Sequence, residues 1–166
     1  DELIQFLSDQ NINDTIILTG DFHSSFAMEV VSDPDASIPY LTQGIGSVAV
    51  EFATPSISAA NFDENLTPEL SAGLEFQINQ PIAELSGYNP NPHMKFVDLD
   101  RHGYFVLTIS DSSAQADYYY LEDILVPQTV EAWGAGLQSM AGTQTLMLAE
   151  VEANGQVIGP RLMITE

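Results

Sequence analysis

Two side chains able to hold a metal ion, Asp21 and His23, stand two positions apart directly after an apolar, β-branched run, Thr15-Ile-Ile-Leu-Thr-Gly20. A carboxylate and a neutral imidazole are donors that zinc, iron or manganese accept, and a carboxylate also suits calcium. In an extended segment, residues i and i+2 point to the same side. The end of a buried strand is where ligands bind in open α/β sheets. The same two residues read equally well as a turn Asp bonding its own backbone and an unrelated surface His. Gly-Asp-x-His does not by itself choose between them.

Other reactive groups are scattered. His93, in Asn89-Pro-Asn-Pro-His93, precedes a strand pattern; it is a candidate ligand or substrate contact, though a turn His more often bonds backbone. His102 precedes Gly103 and reads as a hairpin-turn residue. Glu51 sits between Val50 and Phe52. It either faces solvent, or is buried with Lys95 or Arg101 as partner, or orients a metal ligand. Tyr118, Tyr119 and Tyr120 fit strand packing. Gly-x-x-x-x-Gly-Lys, Gly-x-Ser-x-Gly and His-Glu-x-x-His are all absent, so nucleotide-loop, serine hydrolase and zincin readings have no support.

The elements that must position these groups follow from the pattern. Residues 1–10 form an amphipathic helix with Leu3, Ile4 and Leu7 on one face and Asp1 as N-cap. Residues 15–19 are a strand too continuously apolar to be half exposed, which places it inside a covered sheet. Residues 25–31 and Ser47 to Thr54 are further strands, with 32–46 a loop between them. Thr67-Pro68-Glu69 starts a helix to about Asn79 that buries Leu70, Leu74 and Ile78, with Gly73 weakening it. Lys95 to Leu99 and Tyr104 to Ser110 form a hairpin around Asp100-Arg101-His102-Gly103, and Ala114 to Leu121 adds a strand. Residues 129–139 form a short helix interrupted by glycines. A last hairpin joins Thr143–Val151 to Gln156–Ile164 around Asn154-Gly155. Helix, tight turn and buried strand in succession mean α/β architecture.

Composition narrows the function. The 166 residues carry 24 carboxylates against Lys95, Arg101 and Arg161, a formal net charge of -21. Phosphate backbones need a basic patch, so the chain has no nucleic-acid-binding surface, and an anionic membrane surface is excluded likewise. There is no apolar run long enough for a membrane span. Such acidity suits a salty, extracytoplasmic medium, where screening shortens repulsion to about 8 Å or less. The lack of cysteine excludes disulfides and thiol chemistry.

Three separated stretches agree on one family: Leu18-Thr-Gly-Asp-Phe-His-Ser-Ser25, Val50-Glu-Phe-Ala-Thr-Pro-Ser-Ile-Ser58, and Asn91-Pro-His-Met-Lys-Phe-Val-Asp-Leu-Asp-Arg-His-Gly-Tyr104. With Gln115-Ala-Asp-Tyr-Tyr119 they resemble, in order and spacing, the C-terminal part of the PhoD-like alkaline phosphatase/phosphodiesterase family. The resemblance covers roughly residues 1–121. It implies a strand-rich metallophosphoesterase α/β/β/α sandwich, hydrolysis of phosphate mono- or diesters, calcium and iron as metals (other divalent ions being admissible), and export to the periplasm or outside the cell. Gly20-Asp-Phe-His23 stands where related phosphoesterases carry Gly-His-x-His, which implies His23 as the first metal ligand and Asp21 as the next. Phe26 stands where an aromatic, often Trp, is usual.

The family's other ligands come from upstream, from a Gly-Asp-x-x-Tyr-like element and an Asn-bearing element, and neither is in this sequence. The expectation is therefore a C-terminal half, a cut product or one piece of a nicked enzyme, that needs the N-terminal part of the same enzyme as partner. Residues 1–121 would be its portion of the catalytic domain and 122–166 a C-terminal extension. No catalytic nucleophile is assigned in this chain. His93 and Glu51 remain candidates for contacting substrate or orienting a ligand. From a different class, the charge alone also fits a non-enzymatic acidic domain that binds calcium.

Overall fold

Alternating apolar residues, and not helix-forming runs, dominate the middle of the chain, and they fold as two four-stranded sheets. The structure is a computed structural model; it describes residues 2–32, 38–79, 91–127 and 130–153. The first sheet has the order β1-β3-β2-β4, from Ile16–Thr19 (β1), Ser25–Val30 (β2), Ala49–Ala53 (β3) and Met94–Asp98 (β4). β1 and β3 run parallel, with Ile16 opposite Val50 and Thr19 opposite Ala53. β2 lies antiparallel to both β3 and β4, with Ser25 opposite Asp98. β1, β3 and β4 therefore end, and β2 begins, at one end of the sheet.

The second sheet is an antiparallel meander: Gly103–Ile109 (β5), Ser113–Leu121 (β6), Glu131–Met140 (β7) and Met147–Ala149 (β8). Its inner face meets the first sheet. Ala27, Val50, Phe52 and Phe96 from one side pack with Ala116, Tyr118, Tyr120, Ala135 and Leu137 from the other. Period-two alternation sends Tyr118 and Tyr120 inward, and their hydroxyls donate to Phe26 O and Ser25 Oγ at 2.7 and 2.9 Å. The intervening Tyr119 points the other way, to Glu152. On the outer face of the first sheet, Phe26, Ala53, Val97 and Leu99 receive Phe62 of helix α3 (Phe62–Asn65) and Leu74 and Ile78 of helix α4 (Pro68–Asn79). The architecture is the mixed α/β, strand-rich sandwich expected. No helix among the described residues is long and apolar enough to cross a membrane.

Several elements differ from the sequence reading. The first helix, α1 (Glu2–Asp9), forms as expected and buries Leu7; Asp1 lies outside the described residues. β1 is an edge strand among the described residues, and Leu18, although it shares a face with Ile16 and lies opposite Phe52, is 55% exposed because no strand among the described residues flanks it on the outer side. A short helix, α2 (Ile38–Gln43), interrupts the segment read as loop. In α4, Leu70 is 50% exposed and Ser71 takes the buried position instead. β4 and β5 are no hairpin: they belong to different sheets, and residues 99–102 carry the chain across. The stretch read as a glycine-interrupted helix is β7. Gly134 is the extra residue at a bulge, where the Tyr120 ring fills the place of a side chain, so the glycines serve close sheet packing. Of the last expected hairpin, only Met147–Ala149 of the first arm is strand, paired with β7; its Asn154-Gly155 turn and its second arm, 156–164, lie outside the described residues.

Candidate metal centre

The sheet end where β1, β3 and β4 stop gathers three connections: 20–23, 54–61 and 99–102. Parallel pairing puts the first two side by side, with Thr54 N donating to Thr19 O at 3.0 Å and Ser56 N to His23 O at 3.4 Å. Asp98 ends β4 next to Ser25, which places the third connection at the same end. The three family-like stretches thus converge here, except that the third begins at the far end of β4.

Gly20 to His23 do not continue the strand. Phe22 N turns back to Gly20 O at 2.8 Å, and Asp21 and His23 both have left-handed backbones, with φ of 69° and 63°. The same-side argument from extended geometry therefore does not apply. Two non-glycine residues in this region each cost roughly 1 kcal/mol, and such strain clusters at functional sites. The Phe22 ring anchors the turn between Phe26 and Phe62, at centroid distances of 5.2 and 5.1 Å. Asp21 is exposed and His23 half-buried.

The His23 ring is oriented by one contact, Nδ1 to Ala60 O at 3.0 Å. A carbonyl only accepts, so Nδ1 carries the proton, and in the neutral ring Nε2 keeps its lone pair. Metal-binding histidines are commonly held in this way. An oriented imidazole nitrogen and an exposed carboxylate two residues along the chain are donors of the types a metal ion accepts.

A second group of acids lies at the same sheet end. Glu75, Asp98 and Asp100 have carboxylate oxygens within 4.8 Å of one another. Burial pushes Glu75 up to about 7; the Leu99 N–H it accepts opposes this, and Asp98 and Asp100 add to it. Asp100 is also raised, by burial first and then by Asp98. Arg101 crosses this group. It pairs with Asp98, and its guanidinium lies over the Tyr120 ring. Burial pulls its pKa down, but Asp98, Tyr120 and Asp100 outweigh that and hold it above its ordinary value.

The structure separates the other candidates from His23. His93 lies at the opposite end of β4, where its carbonyl accepts from Glu29 N, and five strand residues put about 17 Å between the two ends. Glu51 lies inside β3 and accepts from Thr19 Oγ1 at 2.7 Å. Neither cation expected for it is there: Lys95 pairs with Glu29 at 3.3 Å and Arg101 with Asp98. His102 is not a hairpin-turn residue. Its Nδ1 stands 3.3 Å from both Oγ and O of Ser56, and its Nε2 stands 3.5 Å from Glu64. The sequence reading missed Ser56, Ala60 and Glu64. One local signal was present, because Asn61-Phe-Asp-Glu64 has the spacing of a helix-capping box, and Glu64 does accept from Asn61 N at 2.9 Å.

Comparison with known proteins places the fold and the family. No curated protein is significantly similar to the chain. A solved structure described as the structure of PhoD matches 90% of the chain with a TM-score of 0.62 at 20% identity, which supports the fold. The chain spans 24% of that protein's length. The family model for PhoD-like phosphatases matches residues 1–118, and the chain belongs to that family.

Proposed function

We propose that this chain is the C-terminal segment of a metal-dependent phosphatase or phosphodiesterase acting on phosphate esters, with His23 and Asp21 as metal ligands. The observation that carries the reading is the Ala60 carbonyl on His23 Nδ1, which leaves Nε2 of the neutral ring as a donor for a metal ion. Calcium and iron are the metals proposed; bound there, they would supply positive charge for phosphoryl oxygens and a hydroxide at moderate pH. In a chain of net charge -21, that charge is what draws an anionic ester in. His23 and Asp21 bind and orient. The Phe22 anchor holds their turn, and the upstream part of the same enzyme provides the remaining ligands and the nucleophile.

The open edge of β1 among the described residues is where strands from that upstream part would continue the sheet. Residues 1–121 are proposed as this chain's share of the catalytic domain and 122–166 as the extension. A periplasmic or extracellular setting is proposed from the acidity. The test is hydrolysis of a chromogenic phosphate ester, together with metal content, in the intact protein carrying His23→Ala. We expect the variant to lose bound metal and at least about 100-fold in turnover. Unchanged metal content and turnover would sink the assignment.

The grouping of Glu75, Asp98 and Asp100 favours one second reading, a non-enzymatic acidic calcium-binding domain. It is distinguished by calcium uptake that ignores His23→Ala and follows Glu75→Gln.

A further inference from the structure

We propose that His102 is a positioning residue for His23, acting through the loop of residues 56–64. This inference rests on the reading of His23 as a metal ligand. It supplies what that reading lacks, namely a reason for the Ala60 carbonyl to stay in place.

Residues 56–61 form no regular element, and Ala60 is exposed, yet its carbonyl is the contact that sets the His23 ring. One side chain stands at both ends of the loop and closes both when its ring carries two protons, because the Ser56 carbonyl and the Glu64 carboxylate are each acceptors. At the Ser56 end, His102 Nδ1 faces the Ser56 carbonyl and hydroxyl, both at 3.3 Å. At the other end, His102 Nε2 lies 3.5 Å from Glu64 Oε2, the same oxygen that accepts from Asn61 N at 2.9 Å. The His102 side chain is only 12% exposed, so its Ser56 end is shielded from water, while Glu64 at the other end is exposed.

Within the loop, the Ser56 hydroxyl donates to Ala59 O and lies 3.2 Å from Asn61 Oδ1, which sets the backbone on both sides of Ala60. Asn65 Nδ2 adds a second donor to Ala60 O at 3.3 Å. Ser56 also joins the two histidines through backbone: its N–H donates to His23 O, and its carbonyl accepts from Gly103 N at 3.0 Å. Releasing His102 removes the side-chain hold at each end of the loop and leaves the backbone contacts of Ser56 and the Glu64–Asn61 bond. Ala60 O then no longer selects one His23 tautomer, and the lone pair is shared between Nδ1 and Nε2.

The experiment uses the intact protein stripped of metal by a chelator, with its histidine rings labelled with 15N, and reads the ring-nitrogen shifts of His23 by NMR. Wild type should show one tautomer with Nδ1 protonated. His102→Ala should give a mixture of tautomers. His102→Asn, which keeps a donor near the Nδ1 position, should restore the wild-type signature. Glu64→Ala opens the exposed end of the clasp and should move the signature in the same direction, so the inference stays testable if His102→Ala does not fold. A wild-type His23 signature in folded His102→Ala, or in Glu64→Ala where His102→Ala does not fold, would overturn the inference. In a second arm, Mn2+ is the probe and broadening of the His23 signals is the readout. His102→Ala should need roughly 10–100-fold more Mn2+. If His23 follows His102 in the first arm but wild type takes up no Mn2+, the metal reading fails and the positioning role stands.

Discussion

The Arg101 guanidinium lies 3.9 Å from the centroid of the Tyr120 ring while pairing with the buried Asp98 carboxylate. Removing it leaves a buried charge without its partner, which is costlier than losing the pair's own attraction. Arg101→Met should destabilise the chain by about 2–3 kcal/mol, the partial exposure of Arg101 keeping the cost low in the range for buried pairs. Arg101→Lys should recover only part, since an ammonium neither stacks flat nor forks onto a carboxylate. Urea unfolding of the three chains measures both differences.

Glu75 makes stability depend on pH in the direction opposite to an ordinary ion-paired acid. Burial holds its folded pKa up at about 7, against an ordinary value of 4.5. Between those values the folded state binds more protons than the unfolded state. Its contribution is therefore fully present below the unfolded value and is lost as pH rises towards the folded one. Glu75→Gln, which keeps an acceptor for Leu99 N, should flatten that part of the stability profile. At pH 8 it should be more stable than wild type by on the order of 1–2 kcal/mol, allowing for solvent screening. Chemical denaturation from pH 4 to pH 8, in steps of about one unit, is the check.

Gly103 and Gly134 tolerate side chains to different degrees. A Cβ on Gly134 would meet the Tyr120 ring at 2.4 Å, and one on Gly103 would meet the backbone carbonyl of Tyr119 at 2.0 Å. A ring at the end of a side chain can shift, whereas a paired strand carbonyl cannot. Gly134→Ala should cost roughly 2–3 kcal/mol and disturb the Arg101–Tyr120 stack. Gly103→Ala should exceed about 4 kcal/mol or abolish folding. Thermal melts rank the two.

Asp117 is a buried acceptor facing three donors. Its Oδ1 accepts from Trp133 Nε1 and Gln115 Nε2, both at 2.9 Å, and its Oδ2 accepts from Ala153 N at 3.1 Å. An amide must turn N–H groups towards one of these donor sets. Asp117→Asn should lose about 2–3 kcal/mol despite equal size. Trp133 is the only tryptophan, so its fluorescence reports the transition directly.

The parts of the site legible in the sequence were local. Gly20 to His23 stood out because an apolar run stops there, and the strand before it follows from that pattern, whereas the PhoD-like fold was expected only from the resemblance of three separated stretches. The His102 clasp was not legible, because Ser56 and His102 meet only once β3 and β4 share a sheet. The crossing at 99–102 was misread for a similar reason. Asp100-Arg-His-Gly has turn chemistry, and nothing local reveals that Arg101 is held by Asp98 and Tyr120. The glycines of β7 suggested a broken helix, since the Tyr120 ring that needs the space at Gly134 comes from a neighbouring strand. For Glu51 a cation partner was one of three open alternatives, and it falls away because Glu29 and Asp98 hold Lys95 and Arg101.

The two sheets also differ in how far along the chain their pairings reach. The second joins consecutive strands, whereas the first joins Ile16 to Val50 and Ser25 to Asp98. Closing long loops costs more chain entropy and slows assembly. The meander is therefore expected to zip early, and the end of the first sheet that carries Asp21, His23 and the clasp to be the late-forming part. On opening, the same order runs backwards: the chain can shed its candidate site while the meander stays closed.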